Sequence, residues 1–250
     1  MPKYDSKSPR LYVDVPLLAG QGIALDRDQT NYLGNVLRLA AGDGVLLFNG
    51  RDGEWQATLA GRKRPDRAEI ATQVRPQDRL SNVDYVFAPL KHARLDYMVQ
   101  KAVEMGAAAL RPVTTRFTQT ARVNIERMRA NVIEAAQQCG ILSLAEVYEP
   151  LSLEKYLAQR ESSRLLVFCD EEADTSNPAT GLALISNQAQ SGIDVVIGPE
   201  GGFAAEERSL LLAQPRTIRL SLGPRILRAD TAAVAALALV QSTLGDWRPE

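Results

Sequence analysis

The chain has little of what metal centres and covalent active sites are made from: its 250 residues hold two cysteines and one histidine. Cys139 and Cys169 stand in helical or apolar surroundings without CxxC spacing, and His92 is alone. A structural zinc site therefore lacks ligands, and a catalytic cysteine has a single histidine to draw on as base. Both thiols read as small buried hydrophobes of a reducing compartment, and no metal is expected. Long apolar runs are missing too. The longest, Ala232 to Val240, falls far short of a bilayer span. Met1 to Arg10 is polar and leads into no apolar stretch, which argues against a signal peptide. The expected compartment is the cytoplasm. What remains, 45% hydrophobic and 24% charged residues, is the composition of an ordinary globular protein long enough for two compact units.

A net charge of −1 hides an uneven distribution. Residues 1–133 carry 20 basic and 14 acidic side chains, residues 134–215 carry 4 and 13, and residues 216–250 carry 5 and 3. A basic first half suits phosphates while the whole stays near neutral, although solvated surface charge explains it equally well.

Over residues 1–78 the apolar runs are short: Leu11 to Val13, Val45 to Phe48, Glu54 to Leu59 and Ala68 to Val74. Asn49-Gly50 and Asp52-Gly53 supply the positive φ of tight turns between two of them. This predicts a small β-barrel, interrupted by one helix that starts near Asp26 or Asp28 and runs to Gly42. The polar stretch 75–82 marks a boundary. Beyond it, over 79–250, buried strands alternate with helices. The strands fall at Val83 to Pro89, Ala108 to Val113, Leu165 to Cys169, Asp194 to Ile197 and Ile218 to Leu222. The helices fall at Leu95 to Met105, Ile125 to Gln138, Leu182 to Gln190, Ala205 to Ala213 and Thr231 to Thr243. The fold class is α/β, with a parallel sheet covered on both faces.

Two corners carry chemistry. Ile197-Gly198-Pro199-Glu200-Gly201-Gly202-Phe203 lies between a strand and a helix, where α/β sheets bind ligands. Its glycines allow close approach and positive φ, Pro199 fixes the turn, and the bare backbone suits an adenine or a methionine moiety. It matches neither GxxxxGK[ST] nor GxGxxG. The second corner is Leu220-Ser221-Leu222-Gly223-Pro224-Arg225-Ile226-Leu227-Arg228-Ala229-Asp230-Thr231. Asp230 or Thr231 is placed to cap the helix that follows. Arg225 and Arg228, flanking Ile226-Leu227, have forks suited to phosphate or base carbonyl oxygens.

The GPEGGF loop, LGPRILRADTA, Gln100 to Val113 (QKAVEMGAAALRPV) and Asn31 to Asp43 (NYLGNVLRLAAGD) stand in collinear order. Together they resemble the RsmE family of 16S ribosomal RNA uridine N3-methyltransferases. The resemblance implies a PUA-like barrel at 1–78 that binds RNA. It also implies a SPOUT methyltransferase domain at 79–250 with a deep C-terminal trefoil knot, acting as a homodimer on 16S ribosomal RNA or the assembled small subunit. It assigns S-adenosyl-L-methionine to Ile197, Gly198, Pro199, Glu200, Gly201, Gly202, Leu220, Ser221, Leu222, Gly223, Ile226, Leu227 and Arg228. Methyl transfer to uracil N3 calls for fixed positive charge near the developing anion, here Arg228 with Arg225 second, and for a proton acceptor, Glu200 or Asp230. RNA contact is assigned to Lys3, Lys7, Arg10, Arg38, Lys91, Arg94, Arg116 and Arg122, on cations of the basic half. The chain departs from the family pattern at Ala229-Asp230, where Thr-Glu is usual, at Ile141, where an arginine is usual, and at Asn35, where an arginine is common. Two other readings fit the residues: a non-catalytic RNA-binding module, and an α/β enzyme that binds a nucleotide phosphate.

Overall fold

The computed structural model describes residues 8–91, 93–120, 122–173 and 177–248, without the side chains of 186–188. Lys3, Lys7 and His92 lie outside the described residues. The chain divides into two compact units, Met1–Arg79 with Ala136–Leu144, and Leu80–Ala135 with Ala145–Glu250.

The first unit holds β1 (Arg10–Tyr12), β2 (Gly22–Ala24), β3 (Gly44–Phe48), β4 (Glu54–Ala60) and β5 (Arg67–Arg75) in the order β1-β3-β4-β5-β2. Among the described residues of this unit, β1 and β3 pair in parallel and the other neighbours pair antiparallel. Strand alternation puts Val45 and Leu47 into the main core with Leu33, Ala57, Leu59 and Ile70. Phe48 turns the other way, onto Ala136 and Leu142, so β3 is buried on both faces by residues that arrive from 136–144. The helix begins as expected: Asp26 accepts from Gln29 N at 2.7 Å and donates from its own N to Gln29 Oε1 at 2.9 Å, a capping box. It runs as α1 (Arg27–Asn31) and one π-turn (Tyr32–Val36), and stops short of Gly42 because Arg38 takes φ 58.

The second unit contains β6 (Val83–Phe87), α2 (Ala93–Glu104), β7 (Ala109–Thr114), α3 (Ile125–Cys139, whose last residues belong to the first unit), β8 (Glu146–Val147) and β9 (Leu151–Ser152). It continues with α4 (Leu153–Gln159), β10 (Leu165–Cys169), α5 (Pro178–Ala183), β11 (Ile193–Ile197), α6 (Ala205–Leu212), β12 (Thr217–Leu220) and α7 (Ala229–Thr243). The sheet is parallel, in the order β12-β10-β11-β6-β7-β8, with β9 beside β7. Helices α4 and α6 cover the face that carries Val86, Leu166, Phe168 and Val196. The opposite face, by the two-residue alternation of strands, carries Tyr85, Phe87, Val167 and Val195. Helix α7 packs on β11 and against α2.

Two expected elements shift. The helix predicted at 182–190 is replaced by a short helix over Pro178–Ala183 and a 3₁₀ turn over Ser186–Ser191; the first starts at Pro178 because Asn177 caps it by accepting from Ala179 N at 3.0 Å and proline suits the first helical position. Strand β12 ends at Leu220, which frees Ser221 and Leu222 for the loop beyond. At the amino ends of the central strands, Asp194 and Asp84 are buried but paired. Arg160 and Arg164 reach Asp194 at 3.1 and 2.6 Å, and Arg164 also reaches Asp84 at 2.9 Å. That end of the sheet is thereby closed with charge, and the carboxyl end is left to bind.

Candidate functional site

In the sheet β10 lies between β11 and β12, so the chain leaves β10 to one side and returns on the other. Such a reversal opens a crevice at the carboxyl ends of the strands. A cavity of about 280 Å³ stands there, near the lower end of the range for ligand sites, and it lies wholly within the second unit.

Both glycine corners face it. Ile197, Gly198, Pro199, Glu200 and Gly202 line one side, and Leu220, Ser221, Leu222, Gly223, Pro224, Arg225, Ile226 and Leu227 the other. A side chain on Gly198 would begin 2.7 Å from the Phe203 ring, which packs edge-on against Phe168; only glycine fits between ring and cavity. Gly202 takes φ 70, which lets the loop turn into α6. Glu207 fixes that turn: its buried carboxylate accepts from Ala204 N at 2.9 Å and Arg116 N at 2.7 Å.

Gly201 and Arg228 are not among the lining residues. Gly201 backs onto Phe117, 3.1 Å from where its side chain would start. Arg228, and neither Asp230 nor Thr231, occupies the N-cap position of α7, and it makes no side-chain cap bond. Its exposed guanidinium lies 3.4 Å from Asp230, whose carboxylate accepts from Thr231 N inside the first helical turn. Glu200 is paired with Arg94 at 2.9 Å. Arg225 is exposed at the rim.

The sequence did not single out the third wall, Phe168 to Glu172, at the end of β10. Asp170 is its anchor. The carboxylate is buried, accepts from Arg208 at 2.9 Å, Arg219 at 2.7 Å and Glu172 N at 3.1 Å, and so joins β10, α6 and β12. Burial by itself raises its pKa, but the hydrogen bonds from Arg208 and Arg219 prevail and hold the carboxyl below its usual range. Arg208 also reaches Glu172 at 3.1 Å, while Glu171 makes no ion pair among the described residues. The signal was available: Asp170-Glu171-Glu172 follows a buried strand directly, as the two glycine corners do.

Burial pushes the Cys169 thiol up to about 12, so it stays protonated at neutral pH and is no nucleophile. Cys139 is exposed. A thiol-specific chromogenic reagent at pH 8 is expected to titrate Cys139 rapidly and Cys169, which lines the cavity wall but is held protonated, far more slowly, with both reacting rapidly after unfolding; equal rates in the native state would contradict the raised Cys169 pKa.

Of the cations assigned to RNA, Arg38, Lys91 and Arg122 are exposed. Arg116 is exposed, with Glu206 4.0 Å away. Arg94 is engaged by Glu200. Arg10 requires correction as a surface contact. It is 6% exposed, and its Nε donates to buried Glu54 at 2.8 Å, with Arg75 on the same carboxylate at 2.7 Å. This cation holds the interior of the first unit together.

Comparison with known proteins agrees with this architecture. The RNA methyltransferase domain model matches residues 76–241, and the RNA methyltransferase PUA domain model matches 25–67. Ribosomal RNA small subunit methyltransferase E of Rickettsia conorii is 32% identical over 94% of this chain and 96% of its own. The Synechocystis protein of the same name is 31% identical over 94% of this chain and 78% of its own. Among solved structures, ribosomal RNA small subunit methyltransferase E from Neisseria gonorrhoeae, bound to S-adenosyl methionine, superposes with TM-score 0.83 at 26% identity, covering 96% of this chain and 100% of that one. A putative methyltransferase from Legionella pneumophila in complex with the same cofactor superposes with TM-score 0.81 at 27% identity, over 96% and 99%.

Proposed function

The chain belongs to the RNA methyltransferase family whose members join this domain to a PUA domain, and from that premise we propose that it methylates N3 of a uridine in 16S ribosomal RNA. It is an S-adenosylmethionine-dependent methyltransferase of small-subunit ribosomal RNA, with the SPOUT fold. The observation that carries the reading is the charge of the cavity. Asp170, Glu171, Glu172 and Glu200 line it against Arg208 and Arg225, and Arg208 is held by Asp170 and Glu172. Such a wall repels a nucleotide phosphate and suits a ligand that carries sulfonium and ammonium charges. An RNA-binding module without catalysis leaves the cavity and its glycine cradle unexplained.

The residues fit the cofactor. Ile197, Leu220, Leu222 and Leu227 give an apolar bed, Gly198 and Gly202 let backbone approach, and the acidic turn after β10 meets positive charge. When bound, S-adenosyl-L-methionine supplies an electrophilic methyl group. The protein must hold uracil N3 in line, exclude water and stabilise the base as its N3 proton leaves. Arg228 serves the uracil oxygens, with Arg225 at the rim as second cation. Asp230 takes the N3 proton. Its Oδ2 stands beside Arg228, whereas Glu200, the other candidate, is held by Arg94. In the same reading the trefoil knot is formed by the 197–203 and 220–228 loops, supported by their meeting in one cavity. The enzyme acts as a homodimer, supported by Ile226, an apolar side chain 95% exposed at the cavity rim. It works in the cytoplasm, where small subunits are found; among the described residues no helix is long and apolar enough to cross a membrane.

Calorimetry with S-adenosylmethionine and with ATP, run beside light scattering, tests this reading. The expected result is one S-adenosylmethionine per chain, no ATP binding and a particle of twice the chain mass. Preference for ATP would overturn the enzyme class, and a monomer would overturn the dimer.

A further inference from the structure

Between β4 and β5 the chain reads Gly61-Arg62-Lys63-Arg64-Pro65-Asp66-Arg67, four cations to one acid. Arg62, Lys63 and Arg64 are exposed, and none has an ion-pair partner among the described residues. Arg67 stands 3.4 Å from Glu69 on β5. The turn is braced. Pro65 is buried, and a side chain on Gly34 of the π-turn would begin 3.4 Å from its ring. Leu25 N donates to Asp66 O, and Asp66 N to Arg64 O, both at 2.9 Å. Gly61 takes φ 147, and a side chain there would begin 2.0 Å from the Arg64 carbonyl oxygen. The backbone beneath three adjacent like charges is thus fixed, and an arriving polyanion relieves what mutual repulsion solvent screening leaves.

We propose that this braced turn is a docking site for the RNA phosphate backbone, with Arg62, Lys63 and Arg64 each meeting a phosphate along the shallow groove that residues 60–67 form. Guanidinium forks and an ammonium suit phosphate oxygens, and such contacts set position and affinity rather than sequence choice. An anionic membrane would attract the same charges, but stable membrane attachment adds an apolar anchor, and no large apolar side chain is exposed between 60 and 67. The site also supplies surface charge that buried Arg10 does not. The proposal rests on RNA being the substrate of the methyltransferase.

The test uses the full chain with Arg62, Lys63 and Arg64 all changed to Ala. Binding to a 16S ribosomal RNA fragment is followed by anisotropy from 50 to 200 mM salt. The variant is expected to bind about tenfold or more weaker at low salt, with the slope of log K against log salt shallower by about 2 to 3, given roughly 0.7–0.9 per phosphate contact. The conservative variant Arg62→Lys with Arg64→Lys, keeping Lys63, should retain most of the affinity. S-adenosylmethionine affinity and the thermal midpoint should match the parent, which separates loss of docking from loss of fold. An unchanged slope in the variant, with parent binding RNA normally, would overturn the docking site and leave the methyltransferase reading intact. A parent that binds S-adenosylmethionine but neither the RNA fragment nor purified small subunits would overturn both the site and the substrate. Loss of binding to phosphatidylserine vesicles with RNA affinity intact would assign the turn to a membrane instead.

Discussion

Arg228→Ala will bind S-adenosylmethionine within about threefold of the parent and lose methyl transfer to small subunits by roughly 100- to 1,000-fold in kcat, the scale for removing one donor from a developing anion. The separation of binding from turnover follows from position. Arg228 is absent from the cavity lining, stands exposed at the start of α7, and among the described residues has its ion pair with Asp230 at 3.4 Å, a long contact that lets its guanidinium turn toward a base. Truncation should leave the fold intact, because the residue sits at the N-cap without a side-chain cap bond and its removal deprives no helix amide of a partner. Arg228→Lys keeps the charge and loses the planar fork, and should fall between the two. Asp230→Asn should depress kcat as well and leave cofactor affinity alone. Turnover of Arg228→Ala equal to the parent, measured with tritiated cofactor on purified subunits, would remove this residue from the mechanism. An equal loss of binding and turnover would instead make it a cofactor ligand.

Much of this site could be read from residue order alone, for a physical reason. Gly198-Pro199 and Gly223-Pro224 announce tight turns after apolar runs, and turns after buried parallel strands are where α/β sheets bind. Asp170-Glu171-Glu172 occupies an equivalent position, yet an acidic run after a strand looks like a solvated loop until Arg208 and Arg219 are seen converging on it from 38 and 49 residues away. Arg10 misled in the same way. Glu54, its partner, is 44 residues distant, and nothing local marks a cation as buried. The strands 146–147 and 151–152 and the seven-residue helix α4 are too short to show a period. At α7 the local preference of Asp230 for a cap does not decide the boundary: the helix begins at Ala229, two residues before the expected Thr231, with Arg228 at the N-cap.

Asp170→Ala should weaken S-adenosylmethionine binding by about 10- to 100-fold although Asp170 touches no reacting atom. Losing the carboxylate strands two guanidinium groups, and because both arginines are partly exposed, solvent screening keeps the effect well below that of breaking a fully buried pair. The loss falls on binding because of what the carboxylate joins. Arg208 comes from α6, behind the 198–203 loop, Arg219 comes from β12, ahead of the 220–227 loop, and Asp170 itself opens the acidic turn. Without it, two guanidinium groups repel each other at the junction of all three walls, and the turn carrying Glu171 and Glu172 loses its anchor. KM for the cofactor should therefore rise while kcat at saturation stays within a few-fold. Asp170→Asn, which keeps the shape and loses the charge, should show a smaller shift. With the carboxyl pKa held low in the folded state, the clamp's contribution is complete above the ordinary carboxylate range and disappears only as pH falls through the lowered value. Parent affinity is accordingly expected to be flat between pH 6 and 8. A variant that melts earlier but binds the cofactor like the parent would reduce Asp170 to a support of the fold, whereas a fall in kcat at saturation would place it nearer the chemistry than its position in the cavity wall implies.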